Sequence, residues 1–152
     1  MIEVYRPRPD ELWFRQKLLS DEATMAYNRA FGGAIGFPAE RWQSWYDRWV
    51  AKPDGRYYRY LRDAGTGEFV GEIAYHYEDG KALADVIVYA PYRRRGYGSA
   101  GLTLLCAAAK QNGVDVLYDD IAADNPSVAL FLRGGFTVEN RTDEIVLVKK
   151  VL

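Results

Sequence analysis

The 152 residues are 49% hydrophobic and 27% charged, with a formal net charge of -1. That balance describes an ordinary globular chain; it excludes disordered and fibrous classes and offers no general attraction to nucleic acid or to anionic membranes. One cysteine, Cys106, rules out an internal disulfide and a cysteine-built metal site, no apolar run approaches membrane-spanning length, and cytoplasm is the expected location. At this length one domain over residues 1–152 is expected.

Ile2-Glu3-Val4-Tyr5 alternates apolar and polar residues and predicts a short strand, stopped by Pro7 and Pro9. Asp10 is the expected N-cap of a helix in which Leu12, Trp13, Gln16 and Leu19 recur at helical spacing, through to Ser20. Residues 21–28 suit a further helical turn or two, and Gly32-Gly33-Ala34-Ile35-Gly36 predicts a loop. Pro38 suits the first turn of the next helix, where Trp42, Trp45, Tyr46 and Trp49 form one stripe. That stripe and the other aromatics before residue 61 read first as core packing and second as an aromatic wall on a pocket. From residue 57 the pattern changes to strands over 57–62, 69–77 and 83–90, an antiparallel meander with short turns at Ala64–Gly67 and Glu78–Gly80. A helix then ends at Asn112-Gly113, a strand covers 114–118, Pro126 opens a short helix, and 136–138 and 143–148 finish as strands. The order predicts one α/β domain around a mixed sheet.

The strongest functional signal lies in residues 85–99. Asp85-Val86-Ile87-Val88-Tyr89-Ala90 is a β-rich run that enters the basic, glycine-rich turn Pro91-Tyr92-Arg93-Arg94-Arg95-Gly96-Tyr97-Gly98-Ser99, and the turn opens into a helix. Strand, flexible loop and helix start aim several free N–H groups at one point, and the helix dipole favours an anion there. Three consecutive arginines make that anion a phosphate. Gly96-Tyr97-Gly98-Ser99-Ala100-Gly101 fits G-x-G-x-x-G, with Asp119 about twenty residues on, so a nicotinamide- or flavin-dependent enzyme has to be weighed. The context is wrong for it: the glycines follow Tyr92–Arg95 instead of an apolar strand, and the meander leaves too little chain for repeated βαβ crossovers.

Arg93, Gly96 and Gly98 fit R-x-x-G-x-G instead, preceded by Val88-Tyr89-Ala90-Pro91-Tyr92 and followed later by Asp124-Asn125-Pro126-Ser127-Val128-Ala129-Leu130-Phe131 and Gly135-Phe136. Together these runs resemble the paired acyl-CoA signature of the GNAT N-acetyltransferase family. The resemblance implies a central, mostly antiparallel sheet with splayed middle strands and helices on both faces. It implies acetyl-CoA as co-substrate, with no metal. The amides of Arg94, Arg95, Gly96, Tyr97, Gly98 and Ser99 would cradle its pyrophosphate, beside the signature Arg93. The strand edge at Val88, Tyr89 and Ala90 would pair with its pantetheine arm, and Asn125, Ser127 and Phe131 would form the opposite wall. The implied reaction is direct attack of a primary amine on the thioester, a small molecule ahead of a protein. Phe131 stands where many members place a tyrosine that protonates the leaving thiolate. That departure leaves Tyr89, Tyr97, Tyr118 or water for the step, and it supports the alternative of a non-catalytic acyl-CoA-binding sensor. An NAD-binding enzyme is a distant third.

Carboxylates on the central strands are the base candidates. Glu72, Ala74 and His76 alternate onto one strand face, Asp85 sits in an otherwise apolar strand, and Asp119 and Asp120 are expected to end the strand across the gap. Glu72, Asp85 and Asp120 are the expected catalytic residues, an acidic pocket that attracts a cationic amine and deprotonates it. Tyr27 and Phe31 lie in the segment that the family varies to suit its acceptor, and they are the substrate-side candidates. His76 joins them second, being read first as a structural histidine. Cys106, among Leu104, Leu105 and Ala107, reads as a small buried hydrophobe. A homodimer through the C-terminal strands is an option that no residue singles out.

Overall fold

In the computed structural model the alternating runs after residue 55 form an antiparallel meander of β2 (Arg56–Asp63), β3 (Phe69–Glu78) and β4 (Lys81–Val88), with β1 (Ile2–Tyr5) on its outer edge. Asp79 and Gly80, at φ of 51° and 77°, make the two-residue turn that sets Glu78 opposite Lys81. β5 (Val116–Ala122) runs parallel to β4, β7 (Ile145–Val151) antiparallel to β5, and β6 (Thr137–Arg141) closes the far edge. The sheet order is therefore β1-β2-β3-β4-β5-β7-β6. The structure describes the backbone of residues 1–152 and every side chain except those of Arg29, Ala30 and Phe31. β4 and β5 pair only at Ala82–Leu117 and Leu83–Tyr118; beyond these they part, which is the splay that the sequence led us to expect.

Strand alternation divides the interior into two unlike cores. One face of the sheet is aliphatic: Leu61, Ile73, Leu117 and Val146 pack with Leu102 and Leu105 of α3 (Tyr97–Gln111) and Phe131 of α4 (Ser127–Arg133). The other face is aromatic: Tyr58 and Tyr60 meet Phe14 and Leu18 of α1 (Trp13–Ser20) and Trp45 and Tyr46 of α2 (Trp42–Tyr46). The N-terminal aromatics are thus core residues in the main. α3 lies close on the sheet because Gly101 carries no side chain: a Cβ there would sit 2.7 Å from Leu61 Cδ1.

Hydrogen bonding explains where the elements depart from the sequence expectation. Asp10 caps no helix: Pro9–Glu11 is a separate 3-10 turn, whose Glu11 carboxylate accepts the Arg8 N–H (2.8 Å), and α1 begins only at Trp13. Residues 21–28 hold a turn, in which Asp21 accepts the Thr24 N–H (3.0 Å), and then the start of a 3-10 segment, Ala26–Phe31. Pro38 precedes a 3-10 turn, Ala39–Arg41, and the tryptophan stripe runs from α2 into a π-helical turn, Asp47–Ala51. β4 stops at Val88, short of Ala90, because the Ala90 N–H is bound by Thr24 Oγ1 (3.0 Å) and the chain turns into the 3-10 segment Ala90–Tyr92. β5 does not end before Asp119 and Asp120 but runs through them, since β7 pairs with it down to Ala122–Ile145 after β4 has turned away. Among the described residues no helix is long and apolar enough to cross a membrane.

Candidate active site

The split between β4 and β5 opens into a cleft of about 630 Å³ that reaches from the loop after β4, past α4, to the α1 side of the sheet. Arg94 and Gly96 take left-handed backbone (φ 65° and 81°), and Gly96 caps α3. The amides of Gly96, Tyr97, Gly98 and Ser99 donate to no backbone carbonyl among the described residues, so the positive end of a four-turn helix is open to the cleft. A Cβ on Gly98 would stand 3.3 Å from Leu130 Cδ2 and 3.8 Å from Val88 Cγ2, so bare backbone forms the cradle between β4 and α4. The Tyr89 N–H is bound to the Val70 carbonyl (2.9 Å) on the β3 side. Successive amides alternate in direction, which turns the Val88 amide toward β5 and the split. These features fit a pyrophosphate followed by an amide-bearing arm.

Arg93 behaves differently from its neighbours. Its guanidinium donates to the carbonyls of Thr24 (2.7 Å) and Ala23 (3.2 Å), so it ties the N-terminal segment to the loop. Thr24, itself buried, completes the tie: its hydroxyl donates to Asp21 (2.5 Å) and accepts from the Ala90 amide. Ala90 therefore offers no free edge, and Val88 is where the strand edge is open. On the opposite wall Asn125 Oδ1 accepts the Ser127 N–H (2.9 Å) and starts α4, and Phe131, 1% exposed, packs on Phe136.

Four acids, Glu72, Asp85, Asp119 and Asp120, line the same cleft but in unlike surroundings. Glu72 is fully buried, and both of its oxygens are 2.8 Å from Arg15 Nη1, while Tyr58 donates its hydroxyl to the same carboxylate. The Arg15 guanidinium is boxed by the rings of Trp45 (4.4 Å), Phe37 (5.2 Å) and Tyr58 (5.2 Å). Sequence reasoning missed Arg15, although its place at i-3 and i-4 from the buried Leu18 and Leu19 was a usable signal. Asp85 and Asp120 face the cleft and its solvent. Enclosure by protein, then the charge of Glu72, pushes the Asp85 carboxyl up to about 6 against the pull of Arg15. Burial, reinforced by Asp85 and Asp120, pushes Asp119 well above the carboxylate range.

A folded-state pKa raised above the unfolded value means that the native form binds the extra proton. Stability therefore falls as pH rises from about 4 to about 6, and the cost stays in place above that. Asp85→Asn is expected to raise Tm at pH 7.5, with the advantage shrinking as pH falls from about 6 to about 4 and gone below that. Equal Tm values for the variant and the parent across that range would refute the shift.

The Acetyltransferase (GNAT) family profile matches residues 17–136. The chain belongs to the GNAT family of acetyltransferases. Solved structures of this fold agree along the whole chain. A putative acetyltransferase from Acinetobacter baylyi is similar with a TM-score of 0.82 at 15% identity, covering 100% of this chain and 93% of its own. A spermidine N-acetyltransferase from Vibrio cholerae, in complex with CoA and spermine, gives 0.81 at 15% identity, covering 99% and 95%. A ribosomal-protein-alanine N-acetyltransferase from Brucella melitensis gives 0.77 at 21% identity, covering 100% and 99%. No curated protein matches the sequence.

Within this GNAT fold the other candidate residues fall in several places. Tyr27 lines the cleft, 40% exposed, and the Phe31 side chain lies outside the described residues. His76 is away from the cleft, edge-on to Trp49 (5.7 Å) and 3.4 Å from Glu78, so it is placed as a structural histidine rather than beside Glu72. Of the tyrosines weighed as proton donors, Tyr97 is committed to Asp63 (2.8 Å), Tyr89 packs on Tyr92, and Tyr118 lies beneath Lys81. Cys106 is half-buried, and burial raises its thiol.

Proposed function

We propose that the chain transfers an acetyl group from acetyl-CoA to a primary amine, with a small cationic molecule ahead of a protein as acceptor. One observation carries the reading: a single cleft joins the unpartnered amides at the start of α3 to the solvent-facing carboxylates Asp85 and Asp120. The complex of the similar spermidine N-acetyltransferase with CoA and spermine supports a cationic acceptor for this cleft shape.

Gly96 to Ser99 would hold the pyrophosphate on their N–H groups, with Arg94 and Arg95 adding charge, and Val88 would hold the pantetheine arm on its amide. Bound acetyl-CoA supplies an activated acyl carbonyl. An alkylammonium with a pKa of about 10 must lose a proton before it can attack, and Asp85 and Asp120 are placed to accept it directly or through water. Glu72 suits that task less, because Arg15 and Tyr58 occupy its oxygens; its part is to keep Arg15 paired.

Thiol release from acetyl-CoA in the presence of diamines, polyamines, amino alcohols and a peptide N-terminus tests the reading. With the acceptor so found, Asp85→Asn or Asp120→Asn is expected to lower kcat/KM by about 100- to 10,000-fold and to erase the acid limb of its pH profile. Unchanged profiles in both variants would remove the acidic pocket from the mechanism. Phe131, which has no proton to give, favours a second reading as an acyl-CoA sensor. Tight CoA binding with no thiol release from any amine would establish that reading instead.

A further inference from the structure

Aminolysis of a thioester by an alkylammonium strips two protons from the nitrogen, one before attack and one as the C–N bond forms. The departing thiolate, whose thiol has an ordinary pKa of about 8.5, gains one. The sheet separates groups suited to these tasks by face. Asp85, opposite Ala74, and Asp120 project to the α1–α2 side, where Ala74 joins the aromatic core. Asp119, opposite Val148 and between Leu117 and Ile121, projects to the α3–α4 side, where those three residues share a core with Phe131.

Asp119 nevertheless lines the cleft, half-buried. Among the described residues no basic side chain forms an ion pair with it. The charged groups that crowd it are Asp85 from β4 and Asp120 on its own strand. From β7, Lys150 shares its face but is engaged by the Gly134 carbonyl (2.8 Å); from α4, the apolar Leu130 and Phe131 and the basic Arg133 line the same cleft, and Arg133 is not among the groups that act on Asp119. A carboxyl set between apolar neighbours on its strand face and flanked by other carboxylates holds its proton more tightly than a free one.

We propose that Asp119, in its neutral carboxylic form, is the catalytic acid that protonates the CoA sulfur as the thioester bond breaks. This rests on the acetyl-transfer reading. The ammonium's first proton passes to one of Asp85 and Asp120 before attack, and its second passes to the other as the new C–N bond forms. As the C–S bond breaks, its electron pair stays on sulfur and takes the Oδ–H proton of Asp119. The carboxylate left at 119 regains a proton from Asp85, and the surplus proton leaves to the cleft water, so the cycle closes without an outside reagent. Phe131 can then stay in the core, since the proton comes from the neighbouring strand.

Asp119→Asn keeps the shape and removes the proton. Its acetyl-CoA affinity by calorimetry is expected to stay within about twofold, while kcat falls about 100-fold and the alkaline limb of the kcat profile disappears. Wild-type kcat with a wild-type profile would overturn the proposal while leaving acetyl transfer intact. If the wild type binds CoA and acetylates nothing, both readings fall. A second readout needs no turnover: the infrared difference between wild type and Asp119→Asn, both with CoA at pH 7, should show the C=O stretch of a protonated carboxylic acid, and its absence would overturn the proposal. Should the variant not fold, 13C-aspartate NMR of the wild-type CoA complex follows the same carboxyl, and an ionised Asp119 at pH 7 would overturn the proposal equally.

Discussion

Replacing Glu72 with Gln is expected to destabilise the fold by about 3–5 kcal/mol, seen as a fall in Tm of about 6–20 °C. The cause is what the change leaves behind. Arg15 is enclosed by Phe37, Trp45 and Tyr58, and Glu72 is the one carboxylate it pairs with among the described residues. Gln retains hydrogen-bonding capacity but not the charge, so a guanidinium is stranded in an aromatic box. Its Nε already has no hydrogen-bond partner, which leaves little to compensate. Removing the pair together, as Arg15→Met with Glu72→Leu, should recover most of the loss, because the pair's attraction only offsets its own desolvation. Thermal unfolding of the three proteins decides it; a Tm that does not respond to Glu72→Gln would show that the ion pair is not formed. The prediction also bears on kinetics, since an activity loss in Glu72→Gln reports on catalysis only where the variant is shown to be folded.

Gly98→Val is expected to weaken acetyl-CoA binding by about 5- to 150-fold while leaving Tm nearly unchanged. Overpacking of a fitted site costs about 1–3 kcal/mol, and that cost converts to affinity at tenfold per 1.4 kcal/mol. The first carbon of the new side chain meets Leu130 at 3.3 Å and Val88 at 3.8 Å, and the valine methyls extend from it into the cleft between β4 and α4. Leu130 can shift at the far end of a flexible side chain, so the fold accommodates the change better than the ligand can. Calorimetric titration with CoA, beside a thermal melt without it, separates the two effects. Wild-type affinity in Gly98→Val would mean that the ligand does not approach this backbone.

Much of the fold could be read from residue order, and the reason is local. Alternation in Phe69–Glu78, the Asp79-Gly80 turn and the glycine-rich start of α3 are each set by neighbouring residues, and each stands as read. The errors came where a distant partner decides. β4 loses Ala90 to a threonine 66 positions earlier, and β5 extends through two aspartates because β7 pairs with them. The same holds in the site. The cradle of amides is a property of one loop and was legible, whereas the fate of the carboxylates depends on facing side chains. Glu72 and Asp85 both lie within apolar strands and look alike in sequence; Arg15, 57 residues from Glu72, makes one a structural ion pair and leaves the other facing solvent. Asp119 and Asp120 differ only in the strand face that they occupy, and a periodicity alone does not say which face the thioester uses.

The tie of Thr24 and Arg93 has a consequence for engineering. Three hydrogen bonds sew the segment around Thr24 to the loop that we propose holds the donor: Ala90 N–H to Thr24, and Arg93 to the Thr24 and Ala23 carbonyls. A transplant of residues 21–37 from a relative with another acceptor would therefore bring its own stitching, or leave the Ala90 amide and the Arg93 guanidinium without their acceptors. On the proposed acetyl-transfer reading, acceptor choice would not be a free module, since whatever replaces that segment also sets how firmly the loop after β4 is anchored.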